Sequence, residues 1–572
     1  MRRIFPILAT LLLAACSCEE ARPVQQPVVD LKSDRLYNRA AFVPPQCYTK
    51  TEDAAGEAHN PCYVCHQASI PPNFVDDADL QLTFAFSETT RVNRWSNLFV
   101  DRRPAMARIS DEAILSYVRT SNYLDERGSN LLAAKLAAPP AAWDVDGDGR
   151  WGGWIPDVAF RFDERGFDIG ADGVPTGWRA FAYHPFPGTF WPTNGSFGDA
   201  LVRLPAAYRQ DETGAYDRGI YEVNLAIAEA FAARRDVAIP PTDERRHGVD
   251  LDGDGALGVA SLVRYRHTPG RLDLNYLGGA QAIGARDPTR VAPGLLPQGT
   301  EFAHSVRYLD VVDGKPRMAA RMKELRYMRK AGWVTWARLE SQAHNEAVEK
   351  ENTPEAVRRF GGTAEYGIGN RAGWTMTAFI EDARGELRPQ SREEHASCIG
   401  CHSGIGATTD SVFSFVRKLP ADSWRGGWYH WTQRGLAGVG EPVRGDGQGE
   451  YAHYLEHNGA GDEFRSNAEV RARFFDETGK LTAEARATLR RDVEALLLPS
   501  AARALQLDKT YKLVVEEQSF VRGRDAVLAP AENVHRELPA GEEAQPTGVE
   551  AVLPGPWHGR TAAAARQVVA AE

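Results

Sequence analysis

The apolar positions of this chain change their period several times along its length. Ile4 to Ala15 is an apolar run behind the basic Met1-Arg2-Arg3, and at about 12 residues it is shorter than the roughly 20 that cross hydrocarbon. Glu19 to about Pro45 is polar, contains Pro23, Pro27 and a Gln-Gln pair, and reads as a tether. Ile70-Pro71-Pro72 stops any helix. Between Asp111 and Leu124, however, the spacing of Ile114, Leu115, Val118 and Tyr123 predicts one. Over about 141–300 helical periodicity fades, and Trp, Gly, Pro and Asp become frequent. Short runs such as Leu201-Val202-Arg203-Leu204 and Ser261-Leu262-Val263-Arg264-Tyr265 predict strands there. From about 301 the spacing of Met318, Met322, Leu325 and Met328 predicts a return to helix, followed by Trp333 and Trp336. Near the C-terminus, Leu489, Val493, Leu496 and Leu497 share one face of a predicted helix over 483–498. After Pro499 a second helix carries Leu505, Tyr511, Val514 and Val515. Beyond His535 the Ala, Pro, Gly and Glu content predicts partial disorder.

With 572 residues, 43% hydrophobic and 25% charged, the chain is long enough for several cores. A net charge of −10 argues against nucleic acid and anionic lipid as partners and suits a basic redox partner.

The chemistry enters with two copies of one pentapeptide, Cys62-Tyr63-Val64-Cys65-His66 and Cys398-Ile399-Gly400-Cys401-His402. Two thiols at this spacing can add to both vinyl groups of one porphyrin, and the following imidazole reaches the iron, so the segment is an attachment site for covalent haem c. A zinc site would need further Cys or His at finger spacing, and none follows either copy. The sites expected are therefore Cys62, Cys65 and Cys398, Cys401 for two haems, with His66 and His402 as proximal iron ligands.

Leu13-Ala14-Ala15-Cys16 closes the apolar run and resembles a bacterial lipoprotein signal. The resemblance implies cleavage before Cys16, lipidation of that residue, and a chain anchored to the membrane without spanning it. Ser17 after the cysteine favours the outer membrane, facing the periplasm or the cell surface. Cys18 and Cys47 then remain and are able to pair in an oxidising compartment.

Two acidic loops carry the next signal: Asp144, Asp146 and Asp148 before Gly149, and Asp250, Asp252 and Asp254 before Gly255. Alternate Asp with Gly at position six matches the first half of a calcium loop. Position twelve is Ile155 in one and Ser261 in the other, so an EF-hand is not expected. The loops resemble free-standing calcium loops of extracellular β-proteins that draw another ligand from elsewhere, with Asp157 or Asp168 as candidates for the first. An Asp/Gly surface turn that binds nothing is the alternative.

The sixth iron ligand separates an electron carrier from an enzyme. His304 stands on a β-like run in Phe302-Ala303-His304-Ser305-Val306 and is the leading distal candidate. Met106, Met376 and His430 follow, whereas Met318, Met322 and Met328 read as helix core, and His344 and His395 as solvated. Trp424, Trp428 and Trp431 could pack on a porphyrin or simply fill a core.

The two pentapeptides, the lipid signal and the acidic loops resemble those of di-haem c-type cytochromes, more distantly the di-haem cytochrome c peroxidases. The fold expected is α+β and multidomain: mainly helical cytochrome c-like haem regions flanking a β- and loop-rich calcium-loop region. Its parts are a signal peptide at 1–15, a tether at 16–45, a first haem region at 46–140 and a β-rich insertion at 141–300. A second haem region at 301–440, a helical scaffold at 441–535 and a tail at 536–572 complete it. The resemblance implies single-electron transfer between protein redox partners. Two alternatives are a peroxidase-like oxidoreductase that reduces a small oxidant at an open haem, and a calcium-stabilised binding module with accessory haems; no catalytic residue is assigned.

Overall fold

A pair of long antiparallel strands organises the molecule, which is described here from a computed structural model. The structure describes residues 29–33, 35–49, 51–52, 58–59, 62–74, 87–188, 192–458 and 467–538. The strands are β1 Thr51–Glu52, β2 Ala58–His59, β3 Phe167–Ile169, β4 Pro175–Ala180, β5 Phe197–Gly198, β6 Leu201–Arg203 and β7 Val237–Asp243. They continue with β8 Val259–Val263, β9 Glu301–Val312, β10 Lys315–Lys330, β11 Gly362–Thr363, β12 Gly367–Gly369, β13 Trp374–Glu381 and β14 Leu387–Pro389. The helices used below are α1 Cys62–Cys65, α2 Asp111–Arg119, α3 Arg218–Ala233, α4 Trp336–Asn352, α5 Arg392–His402, α6 Glu450–Asn458, α7 Ala483–Leu489 and α8 Ala501–Glu517.

Strands β9 and β10 turn through Asp313 and Gly314, both at positive φ, the backbone a tight two-residue hairpin requires. They lie at the centre of a ten-stranded sheet ordered β11-β12-β13-β10-β9-β6-β4-β3, with β14 on β13 and β5 on β9. Its pairings are antiparallel.

This sheet overturns the expectation of mainly helical haem regions. The segment with Met318, Met322, Leu325 and Met328 is strand, paired to β9 on one edge and β13 on the other. Register shifts between Met318 and Met322 and between Met322 and Glu324 break the period of two. The apolar positions Met318, Met322, Leu325 and Met328 consequently recur at four and three residues and imitate a helix. Arg and Lys in this strand are buried because they meet carboxylates, Arg321 on Glu381 at 2.6 Å and Lys330 on Asp410 at 2.5 Å.

A second correction concerns the middle of the chain. Its strands β3 to β8 are short, and it also holds α3, which is buried on all sides. Its buried circumference includes Glu222, Asn224 and Glu229, so burial there does not follow a simple apolar stripe. Elsewhere the pattern is legible: α2 buries Ile114 and Val118 and is capped by Ser110, and Leu201–Arg203 is the strand β6. The helix predicted over 483–498 is broken into α7 and a turn at Glu494–Leu497, and α8 follows after the cap Ser500. Among the described residues no helix is long and apolar enough to cross a membrane.

Candidate functional site

Helix α5 places the second pentapeptide on its last two turns. Ser391 and Glu394 form a reciprocal capping box, and Arg388 clamps the Glu394 carboxylate with two bonds of 2.9 Å. Gly400, between the two cysteines, lies so close to the Phe42 carbonyl that a Cβ would collide with it. Burial pushes both thiols up, Cys401 to about 11. Cys398, Cys401 and His402 border a cavity of about 1640 Å³, counting space open to solvent, whose sheet side carries His304, Met328 and Met376.

The imidazole orientations fit a metal-bound group. His402 Nδ1 lies 2.8 Å from the Ser411 carbonyl, which can only accept, so the proton is on Nδ1 and the lone pair on Nε2. Burial lowers the pKa of the ring and keeps it neutral. The carbonyl is presented by Asp410 and Ser411, both left-handed at φ 49° and 62°, a conformation that costs on the order of 1–3 kcal/mol per residue. Asn370 Nδ2 holds the His402 carbonyl at 2.7 Å and the Ser411 hydroxyl at 3.0 Å. Asp410 in turn accepts from Lys330 at 2.5 and 2.6 Å, the Leu296 N–H at 2.8 Å and Trp374 Nε1 at 3.2 Å. Burial pulls the Lys330 ammonium down and pushes the Asp410 carboxyl up, while their attraction opposes both shifts.

His304, facing the same cavity from β9, repeats the arrangement with its Nδ1 on the Asp199 carbonyl. Its pKa falls to about 4, first through burial and then through Arg326, with His402 a further cause. The Asp199 carboxylate accepts from the Ser305 N–H at 2.5 Å and from His430 Nε2 at 2.9 Å. His430 also uses Nδ1, on Thr432 at 2.8 Å, so both its nitrogens are engaged and it does not serve as a ligand. His395, expected to be solvated, is fully buried, and its Nε2 accepts the Ala378 N–H at 2.8 Å. Met106 sits away from the cavity with its sulfur 3.4 Å from Thr510 Oγ1. Nor do Trp424, Trp428 and Trp431 line it: Trp428 lies under Arg179, and Trp431 donates to the Gly198 carbonyl. The cavity has a cationic end at Lys323, Arg326 and Arg524, where both arginines hold Glu324.

The first pentapeptide lies against the second. Cys62 to Cys65 form the single turn α1, Gln67 Nε2 closes on the Val64 carbonyl at 2.9 Å, and Asn73 Nδ2 reaches the Ile405 carbonyl at 3.0 Å. A Cβ on Gly406 would strike the Gln67 carbonyl. Val64 and Cys65 pack in one cluster with Phe413, and Phe413 stacks on the His402 ring at 5.7 Å. The residues that follow the two segments, 336 positions apart in the sequence, therefore meet. The side chain of Cys62 lies outside the described residues, as do Cys16 and Cys18; Cys47 is half-buried in the turn Pro45–Tyr48.

The acidic loops are two copies of one construction. Asp144 accepts from the N–H groups of Gly147, Asp148 and Gly149 at 2.7, 3.1 and 3.0 Å, and Asp250 from Gly253 and Gly255 at 2.6 and 3.3 Å. A buried glutamate ties positions two and nine of each: Glu365 holds Val145 and Gly152, and Glu244 holds Leu251 and Gly258. Carboxylate oxygens of Asp144, Asp146 and Glu365 converge within 4.8 Å, as do those of Glu244, Asp250 and Asp252. Asp148 and Asp254 accept from Arg150 and Ala256 within their own loops, both at 2.8 Å. Neither candidate for the extra ligand of the first loop serves. Asp157 pairs with Arg203, and Asp168 accepts from Ala159 and Arg161. Glu365 comes from 221 positions beyond Asp144 and carries no local signal, whereas Glu244, six residues before Asp250, lay within reach of a wider search for carboxylates.

A family model of lipoproteins matches residues 31–490. The chain belongs to this lipoprotein family. An Aquifex aeolicus (strain VF5) protein described as an uncharacterized lipoprotein is 31% identical over 585 residues, covering 92% of this chain and 93% of that relative. No solved structure matches. Family membership makes this lipoprotein a lipid-anchored protein of the cell envelope, the coarser part of the expectation drawn from Cys16.

Proposed function

We propose that this lipoprotein is a membrane-anchored di-haem c-type cytochrome that passes single electrons between protein partners, held through Cys16 at the outer membrane facing the periplasm or cell surface. The observation that carries the reading is the approach of the two Cys-X-X-Cys-His segments, whose following residues meet where Asn73 reaches the Ile405 carbonyl and Gly406 abuts the Gln67 carbonyl, which suits transfer from one site to the other. Haem at these segments would supply a one-electron iron couple. Cys398 and Cys401 would each add S–H across a vinyl C=C, so that no atom leaves. His402, turned by Ser411, and His304, turned by Asp199 on the sheet side of the same cavity, are the residues that would hold the iron through Nε2. That pairing favours a six-coordinate carrier over an open site that reduces a small oxidant. The same reading gives structural calcium to the acidic loops, with Glu365 and Glu244 completing them.

Intact mass should find two covalent haems, and low-temperature EPR with optical redox titration should find two low-spin irons. A chain without covalent haem, or with both irons high-spin, would overturn the proposal. Calcium removal by EGTA should lower the thermal midpoint of the wild-type protein and leave that of D144N/D250N unmoved; a wild-type midpoint indifferent to EGTA counts against calcium alone.

A further inference from the structure

A cavity of about 690 Å³, counting space open to solvent, lies at the Lys330 end of β10, where Tyr208, Arg290, Arg329 and Lys330 border it. Among the described residues, no carboxylate lines it. In a chain of net charge −10, a hollow bordered by three cations and no acid reverses the prevailing sign, and such a hollow favours an anion.

Three segments far apart in the sequence build it. The turn Ala206–Arg209 carries Tyr208, which is 3% exposed and packs edge-on to the Tyr276 ring at 4.7 Å. Its N–H donates to the Pro205 carbonyl at 2.9 Å and its carbonyl accepts from Asn224 Nδ2 at 3.0 Å. The backbone is thus fixed, while the hydroxyl makes no hydrogen bond among the described residues. Burial raises the pKa of this phenol, with Arg290 opposing the shift, so the hydroxyl keeps its proton and is available as a donor.

Arg290, at the end of the turn Pro288–Arg290, is held by Asp287 at 3.3 Å and by Gln298 Oε1 at 2.5 Å, with its guanidinium carbon 5.7 Å from the Trp333 ring centre. Its planar head is therefore set before any ligand arrives. The end of β10 is pinned by the Lys330 N–H on the Thr300 carbonyl and the Gly299 N–H on the Lys330 carbonyl, both at 2.8 Å. Arg329, in that pinned stretch, is exposed and among the described residues has neither an ion pair nor a side-chain hydrogen bond. Lys330 differs, because its ammonium is committed to Asp410. The lining also includes the apolar Pro205 and Ile283.

We infer that this cavity binds a small organic anion, whose carboxylate or phosphate oxygens accept from the Tyr208 hydroxyl and from the Arg290 and Arg329 guanidiniums while its apolar body rests on Pro205 and Ile283. Binding is non-covalent and transfers no proton. The inference is independent of the haem reading, since no residue of either Cys-X-X-Cys-His segment borders this cavity.

The test is calorimetric titration of the full-length protein, with its thermal midpoint, against benzoate, phenyl phosphate and the neutral benzamide at fixed ionic strength. Benzoate or phenyl phosphate should bind and raise the midpoint, the stronger of the two identifying the head group, and benzamide should do neither. Y208F removes a single oxygen and R329A an exposed side chain, so both should fold as the wild type does, and each should weaken anion binding about tenfold. A loss of affinity in either variant places the anion in this cavity. Failure of both anions to bind, equal binding of benzamide, or an affinity unchanged in both variants would overturn the inference and leave the di-haem proposal standing.

Discussion

The two pentapeptides are chemically alike and mechanically different. The second ends an eleven-residue helix with a full capping box, joined to the ten-stranded sheet through β14, and its His402 is turned by a left-handed loop pinned by the buried Lys330–Asp410 pair. The first occupies one four-residue turn after a two-stranded hairpin. An isolated turn has no helical cooperativity, so the first site depends on what packs against it, Ile405 and Gly406 among them. The same five residues can thus be held by a rigid frame or by borrowed contacts. In such an arrangement the frame of one site also serves as a wall of the other.

The largest break in this comparison should come from K330M. Removing one member of a buried pair leaves an uncompensated charge and costs about 3–5 kcal/mol. Chemical denaturation should show that loss, and in the haem-loaded protein the EPR g-values of the second site should shift while those of the first stay. A loss under about 1 kcal/mol would mean that the pair does not support the loop.

Acid should act next. Burial lowers the pKa of His395 to about 4 from an ordinary 6.5, so between those values the unfolded chain binds the proton and the folded chain does not. Its contribution is therefore complete above pH 6.5, declines as pH falls, and is lost below about 4, amounting to about 3 kcal/mol. Urea midpoints measured from pH 7 to pH 4 should fall more steeply for the wild type than for H395Q; parallel slopes would remove His395 from the account.

The smallest effect should come from S391A, which deletes the side-chain cap of α5. A cap is worth about 1 kcal/mol. Because the first segment has no such helix, the loss should appear as faster hydrogen exchange over 392–402 with 62–65 unchanged. Equal acceleration at both segments would show that they unfold as one unit and would soften the contrast drawn above.

Legibility in the sequence followed the range of the interaction. The Cys-X-X-Cys-His spacing and the Asp-X-Asp-X-Asp-Gly loops are short-range and legible directly. His304 stood out because its neighbours alternate as a strand does. Strand β10 imitates a helix because bulges at Met318–Glu324 give it a helical spacing, and α3 hides because Glu222, Asn224 and Glu229 are buried along with its apolar residues. His395 reads as solvated amid Arg392, Glu393 and Glu394, yet those charges are partly or fully buried, Arg392 donating to the Phe360 carbonyl, Glu393 accepting from the backbone of Tyr37 and Asn38, and Glu394 held by Arg388.

By itself, then, the sequence determined which atoms are on offer: four thiols, two following imidazoles, two runs of alternating carboxylates and an acylable cysteine, all set by covalent spacing over a few residues. Only the tertiary structure decided how those atoms meet. Packing brought the pentapeptides together across 336 positions and carried Glu365 to the Asp144 loop. It also chose, through the carbonyls of Ser411 and Asp199, which nitrogen of His402 and of His304 bears the proton. A buried imidazole must satisfy one nitrogen with whatever backbone the fold brings near, and that backbone belongs to residues no local pattern can name.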